Sequence, residues 1–293
     1  MRPVQILTDS CSDLSGELLE KYNIDYCKMN TVYEGKETPA SLTWEYYTPK
    51  ALYDIMRAGN RVTTTQVPPQ VFMDKFTEYL EKGMDIVYVA CSGKLSGSVN
   101  TGSVIANELK AKYPDADIRC IDSLNACIGE GMMAIYAAQL RDQGLSAADI
   151  EAKVLDSRKL VNQIVTVDSL DTLKRAGRVK ASAAFFGNLM GVRPILISDA
   201  NGNNAPIKKV KGRANSMAEI INELKETIDP EEQTVYVVHA DCLEDAQKLE
   251  QMVKEALPKV NTYITYIGPI IGASIGPGAV GVFAFGKRVT FEG

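Results

Sequence analysis

"VACSGKLSGSVNTG", residues 89 to 102, runs from an apolar, strand-like stretch into a cluster of small hydroxyl residues and glycines. A strand that breaks at such a turn and resumes with helical spacing is a unit of an α/β fold. Ser96 is a natural N-cap for the following helix. The unpaired N–H groups of the first helical turn, together with the helix dipole, favour an anion. Ligands of open α/β sheets lie at the carboxyl ends of strands, where this turn falls. Two readings stay open for this stretch: an anion site, or a helix cap facing water.

The residues on either side repeat the unit. "VQILTD" (4 to 9), "DLSGELLEKY" (13 to 22) and "IDYCKM" (24 to 29) lead to helical patterns near 43 to 58 and 69 to 82. "MDIVYVA" (84 to 90), a helix from Ser96 to about Tyr113, "DIRCID" (117 to 122) and a helix near 130 to 142 continue the alternation. Such alternation predicts a mostly parallel sheet with covering helices. A helix from Ser146 to about Leu160 closes the block, so the chain divides into an N-terminal lobe, 1–160, and a C-terminal lobe, 161–293. In the second lobe "QIVTV", "PILIS", "PIKKVK", "TVYVVHA", "TYITYIG" and "AVGVFAF" are strand-like, interleaved with only a few helices, notably near 214 to 228 and 243 to 257. Strands that succeed one another so directly predict a mixed or antiparallel sheet.

At 293 residues the chain exceeds what one compact core holds, in agreement with two α/β lobes. A net charge of −5 gives no electrostatic footprint for nucleic acid. No basic start precedes an apolar block, and no run approaches the ~18 apolar residues of a membrane span, so a cytoplasmic protein is expected. Six cysteines, Cys11, Cys27, Cys91, Cys120, Cys127 and Cys242, occur without a CxxC pair, and His239 is the one histidine. That spacing predicts no metal site and no cofactor. The thiols read as small buried apolar side chains.

Three patterns that suggest an enzyme fail on context. "GASIG", Gly272 to Gly276, matches a nucleophile elbow around Ser274, but the next residues, "PGAVGVFAF", read as strand more than helix, and His239 precedes the serine. Glycines in a tight turn explain it better. "GEGMMA", Gly129 to Ala134, formally fits a dinucleotide fingerprint, yet "SLNACI" separates it from its strand. Gly93-Lys94 is succeeded by Leu95, without the spacing of a phosphate-binding loop. A catalytic role is therefore not expected.

A second hydroxyl cluster strengthens the anion reading. "VTTTQVPPQ" sets Thr63, Thr64 and Thr65 before a helix opened by Pro68 and Pro69. Hydroxyls and backbone donors, with Lys94 the local cation, suit a carboxylate better than a multiply charged phosphate.

Taken end to end, the chain resembles the DegV family of bacterial lipid-binding proteins. "ILTDSCSDLS", "TTTQVPP", "CSGKLSGS", "IDSLNACIGEG", "DSLDTLKRAGRVK" and "YIGPIIGASIGPGAVGVFAFG" match its signatures in order. The resemblance implies one long-chain fatty acid, of the palmitate, stearate or oleate class, held between the two lobes with its carboxylate on hydroxyl groups. It also implies, for some members, presentation of the acyl group to a separate fatty acid kinase subunit. Carried over by motif, the ligand residues are Thr64 and Ser92, and Arg178 falls near the ligand or partner surface; Thr65 and Ser96 join them as candidates from the two hydroxyl clusters. Two departures alter the head-group site: Gly93 stands where the family has a second serine, and Ser274 where kinase-linked members often carry histidine. Ser274 is a candidate replacement donor. "AAFFGNLMGV" (183 to 192) and "PIIGASIGPGAVGVF" (269 to 283) are candidates to line the tail tunnel, although Phe185, Phe186, Leu189 and Met190 at helical spacing also read as plain core. The expectation is a non-catalytic fatty-acid carrier. The alternatives are a binder of another amphiphile or small carboxylate, or a serine-dependent enzyme.

Overall fold

The computed structural model describes the whole chain apart from Met1, Ser169, residues 181–184 and 186–190, Pro230 and the side chain of Leu170. The chain runs β1 (Val4–Asp9), α1 (Gly16–Lys21), β2 (Ile24–Cys27), β3 (Asn30–Tyr33), β4 (Lys36–Pro39), α2 (Pro49–Arg57), β5 (Thr63–Thr65), α3 (Pro69–Glu81), β6 (Asp85–Ala90), α4 (Ser98–Leu109), β7 (Ile118–Asp122), α5 (Ile128–Asp142) and α6 (Ala147–Ser157). It continues with β8 (Val161–Thr166), α7 (Leu170–Ala176), β9 (Val192–Ser198), β10 (Asn204–Lys211), α8 (Arg213–Thr227), β11 (Thr234–His239), α9 (Leu243–Ala256), β12 (Asn261–Tyr266), α10 (Pro269–Ile275) and β13 (Val280–Phe285).

Every residue of β1 and β6 is buried, which is why neither shows an alternating pattern. They are the two central strands of a parallel sheet ordered β2-β1-β6-β7. The second sheet is ordered β10-β9-β8-β13-β11-β12 and is antiparallel except for the β11–β12 pair, so it is mixed, as its directly successive strands suggest. Helix α5 packs between the two sheets. Its small residues Gly129, Ala134, Ala137 and Ala138 permit this: a Cβ at Gly129 would lie 3.1 Å from the Phe283 ring. One buried cluster accordingly joins Val87, Val89 and Met133 to Val161, Val238 and Phe283, and the core runs unbroken past residue 160.

Several features depart from the sequence expectation. A third, antiparallel sheet ordered β4-β3-β5 has no counterpart in the sequence reading and carries Thr63–Thr65 as its strand β5. Helix α2 starts at Pro49, because Thr48 caps it by accepting the Ala51 N–H at 3.2 Å. The glycine-rich "GPIIGASIG" is a helix, α10, where a tight turn is expected; Pro269 at its first position presets helical φ. It packs on α2, β3 and β5 of the first lobe and on α7 of the second. Among the described residues, no helix is long and apolar enough to cross a membrane.

Polar contacts also stitch the lobes. The buried Tyr53 hydroxyl donates to the Ile267 carbonyl at 2.6 Å, and a Cβ at Gly268 would collide with the Asp13 carboxylate. Removing the hydroxyl would strand a buried carbonyl, at about 1–3 kcal/mol. Tyr53→Phe is expected to lower the unfolding free energy by that amount, read in equilibrium unfolding as a lower urea midpoint at an unchanged m-value; an unchanged midpoint would show that this bond contributes nothing.

Candidate functional site

The chain leaves β1 toward β2 on one side of the parallel sheet and later returns to β6 on the other, so β1 and β6 flank a topological switch point. Crevices at the carboxyl ends of such strands are where open α/β sheets bind ligands. Here the two exits are residues 9–13 and 91–97. Asp9 ties them together. Its Oδ1 accepts the Cys11 N–H at 2.9 Å, and its Oδ2 accepts the Cys91 N–H at 3.2 Å and the Tyr88 hydroxyl at 2.7 Å. Burial raises the Asp9 pKa and the donors pull it back. Beneath it, the Glu130 carboxylate accepts the Thr8 hydroxyl at 2.8 Å, and burial holds its pKa well above the usual range.

The two hydroxyl clusters are joined side by side. Thr64 on β5 pairs with Thr31 on β3. As the chain leaves β5, the Val67 N–H donates to Ser98 Oγ at 3.2 Å, and Ser98 Oγ lies 3.0 Å from Ser96 Oγ. Gln66 Nε2 donates to Thr101 Oγ1 at 2.9 Å, an approach only Gly97 permits, because a Cβ there would strike the Gln66 carboxamide. Ser96 therefore does not cap α4 as its sequence position suggests. Gly97 occupies the cap, and Ser96 Oγ instead accepts the Ser98 N–H at 3.3 Å.

These loops border a cavity of about 420 Å³, within the range of small-molecule sites. Thr64, Thr65, Gly93, Ser96, Arg178 and Ser274 all line it, with Gln66 and Lys94. Among the described residues, Lys94 and Arg178 are its cationic side chains. The remaining wall is largely apolar, including Val165, Leu196, Val238, Ile271 and Phe283. Ser92 does not line it. Its hydroxyl is fully buried, donates to the Gly202 carbonyl at 2.8 Å and accepts the Lys94 N–H at 3.2 Å, so it braces the turn between β9 and β10 against the head-group loop. A Cβ at Gly93 would come within 2.9 Å of Asp122 Oδ2, so a serine there would have to displace that carboxylate. Arg178 is exposed, donates to the Ala176 carbonyl at 2.7 Å, and stands where the cavity meets a second pocket of about 170 Å³ that Arg61 and Arg175 also line.

Of the expected tail-lining segments, Ile270, Ile271, Ile275 and Phe283 line the cavity, whereas Phe186, Leu189 and Met190 lie outside the described residues. Phe185 is half-buried against the core with Lys209 Nζ 4.6 Å above its ring. Sequence reasoning missed Gln163 and Asn204, cavity-lining amides joined by a 2.9 Å bond. A glutamine opening the apolar run "QIVTV" was the available signal. His239 is remote from nucleophile chemistry: burial lowers its pKa to about 4, its Nδ1 accepts the Cys242 N–H at 3.3 Å, and its ring lies on Tyr266 at 4.2 Å. Ser274 lies inside α10 and donates to the Ile270 carbonyl at 3.4 Å.

Known proteins are similar to this chain in sequence and fold. A family model described as an uncharacterised protein of the DegV family matches residues 3–287. A DegV domain-containing protein of Clostridium perfringens is 37% identical over 287 residues, spanning 98% of both chains. A DegV lipid-binding protein from Thermotoga maritima has a TM-score of 0.86 at 28% identity, over 98% of this chain and 100% of that one. A DegV family protein from Thermus thermophilus, described for its fatty acid binding, has a TM-score of 0.87 at 26% identity, with the same coverage.

One buried carboxyl in the segment after β1 sets a pH dependence. Burial raises the Asp13 pKa from 3.8 to about 8. Between those values the folded chain holds a proton on Asp13 that the unfolded chain has released, so the Asp13 contribution to stability falls as pH rises through the window and levels off above it, while His239, lowered to about 4, contributes in the opposite sense below its ordinary value. Asp13→Asn is expected to flatten part of that fall in urea unfolding series across the same window; an identical slope in both chains would contradict the assignment.

Proposed function

The chain belongs to the DegV family, and from that premise we propose that it is a non-catalytic carrier of one long-chain fatty acid of the palmitate, stearate or oleate class. The single observation that carries this is the mixed lining of the cavity: hydroxyls of Thr64, Thr65, Ser96 and Ser274 with Lys94 and Arg178, and a largely apolar remainder. The carboxylate lies on the hydroxyl wall and the tail along Val165, Leu196, Val238 and Phe283. Fatty acid binding by the Thermus thermophilus relative supports the reading, as does lipid binding by that of Thermotoga maritima.

The tail dominates the affinity. Burial contributes about 0.8 kcal/mol per methylene, and a typical hydrogen bond nets about 1 kcal/mol. One hydroxyl fewer at Gly93 thus shifts the head group more than it weakens the complex, and glycine lets backbone N–H groups approach the ligand. The absence of a chemical step rests on the partners of the two candidate groups: His239 is engaged by the Cys242 N–H and Ser274 by its own helix. The exposed Arg61, Arg175 and Arg178 surround the polar mouth, the face at which a separate fatty acid kinase subunit reaches the carboxylate. All six cysteines are free, which supports a reducing, cytoplasmic setting. The Gln163–Asn204 pair favours a second reading, an amphiphile with an additional polar group, because it sets two amides in an otherwise apolar wall.

Native mass spectrometry of the full chain purified without added lipid is expected to show one bound fatty acid. Thr64→Val and Ser96→Ala should each weaken oleate binding about fivefold. Ser92→Ala should lower stability, by leaving the Gly202 carbonyl unpaired, with little change in affinity. A protein with no bound lipid and no uptake of palmitate or oleate would remove the reading.

A further inference from the structure

The floor of the cavity holds a cluster that lipid binding does not use. Cys11 lies just beyond β1, Cys91 just beyond β6, and Glu130 in the first turn of α5; their two sulfurs and a carboxylate oxygen all lie within 4.8 Å of one another. All three are buried, with exposures of 3%, 1% and 0%. Register brings them together: Leu7 sits opposite Tyr88, so both strands leave the sheet at one level, and Asp9 fixes the Cys11 and Cys91 amides there. Glu130 Oε1 is engaged by the Thr8 hydroxyl at 2.8 Å and more loosely by the Asp9 N–H at 3.4 Å, but Glu130 Oε2 is buried with no hydrogen-bond partner. Native proteins rarely leave such an oxygen unsatisfied. Met29 Sδ lies 3.6 Å from Cys11 Sγ and adds a soft donor. Cys11, Met29 and Cys91 also line the cavity, which gives an ion its route in.

From this geometry we propose that Cys11, Cys91 and Glu130 form a binding site for a thiophilic divalent cation of the zinc class. Two thiolates and a carboxylate supply the sulfur and oxygen donors of tetrahedral zinc sites, and their softness disfavours magnesium and calcium. Thr8 and the Asp9 backbone orient the carboxylate, as supporting hydrogen bonds do around bound metals. The six cysteines show no zinc spacing in sequence because the two that meet lie on separate strands of the sheet.

Cobalt titration of the full chain in reducing buffer tests the site. One equivalent should produce the intense visible bands of tetrahedral cobalt and thiolate-to-cobalt charge transfer, both displaced by zinc. Cys11→Ser and Cys91→Ser should each weaken or remove the charge transfer, Glu130→Gln should weaken binding at least tenfold, and Thr8→Val about 10- to 100-fold. Cys120→Ser and Cys242→Ser should leave the spectrum unchanged. Cadmium NMR of the unsubstituted chain reads the number of sulfur donors without any variant, and two or more are expected. No charge transfer in the unsubstituted chain, a cadmium signal without sulfur ligands, or a spectrum lost in Cys120→Ser or Cys242→Ser would overturn the proposal.

Discussion

A buried carboxylate at the end of the first strand holds the site in place. Asp9 is fully enclosed, a state that costs several kcal/mol unless the charge is well hydrogen-bonded, and it accepts the Cys11 and Cys91 amides and the Tyr88 hydroxyl. Those donors fix the two strand exits relative to each other. The neighbouring loops inherit the arrangement: Ser96 and Ser98 connect the serine loop to the exit of the threonine strand, and Ser92 connects it to Gly202 in the other lobe. The polar wall of the cavity is thus built by the fold before any ligand arrives, which reduces the ordering cost of binding.

The apolar wall depends on a different constraint. Helix α5 approaches both sheets closely only because glycine and alanine occupy its contact positions, with Gly129 against Phe283 and Gly131 against the Ser12 carbonyl and Leu14. That packing joins the two lobes through one buried cluster and leaves a cavity lined from both, by Val165, Val238 and Phe283 and by the loops that follow β5 and β6. In the proposed carrier, affinity and orientation are therefore set by different parts of the chain. The core supplies the apolar wall and the loops supply the direction.

The parallel sheet, the mixed second sheet and most helices were legible because uniformly apolar strands and amphipathic helices leave local patterns. Thr64, Thr65, Ser96, Arg178 and Ser274, singled out in the sequence, fall on one cavity. Other features arise from tertiary contacts that no window of sequence contains. Ser92 looks like its neighbours but turns to the Gly202 carbonyl, and Gly202 is 110 positions away. The α10 segment has the composition of a turn, yet Pro269 and packing against α2 and α7 make it helical. Cys11 and Cys91 share no spacing, and only strand register sets them side by side.

In the proposed carrier, binding has a direction, with the carboxylate on the hydroxyl groups and the tail along the apolar lining. A crystal structure of the full chain with oleate decides it. The carboxylate should lie within hydrogen-bond distance of the Thr64 and Ser96 hydroxyls, and the chain should pass Val165 and Phe283. A carboxylate on Gln163 and Asn204 with the methyl end at the threonines, or a cavity without lipid density, would contradict it.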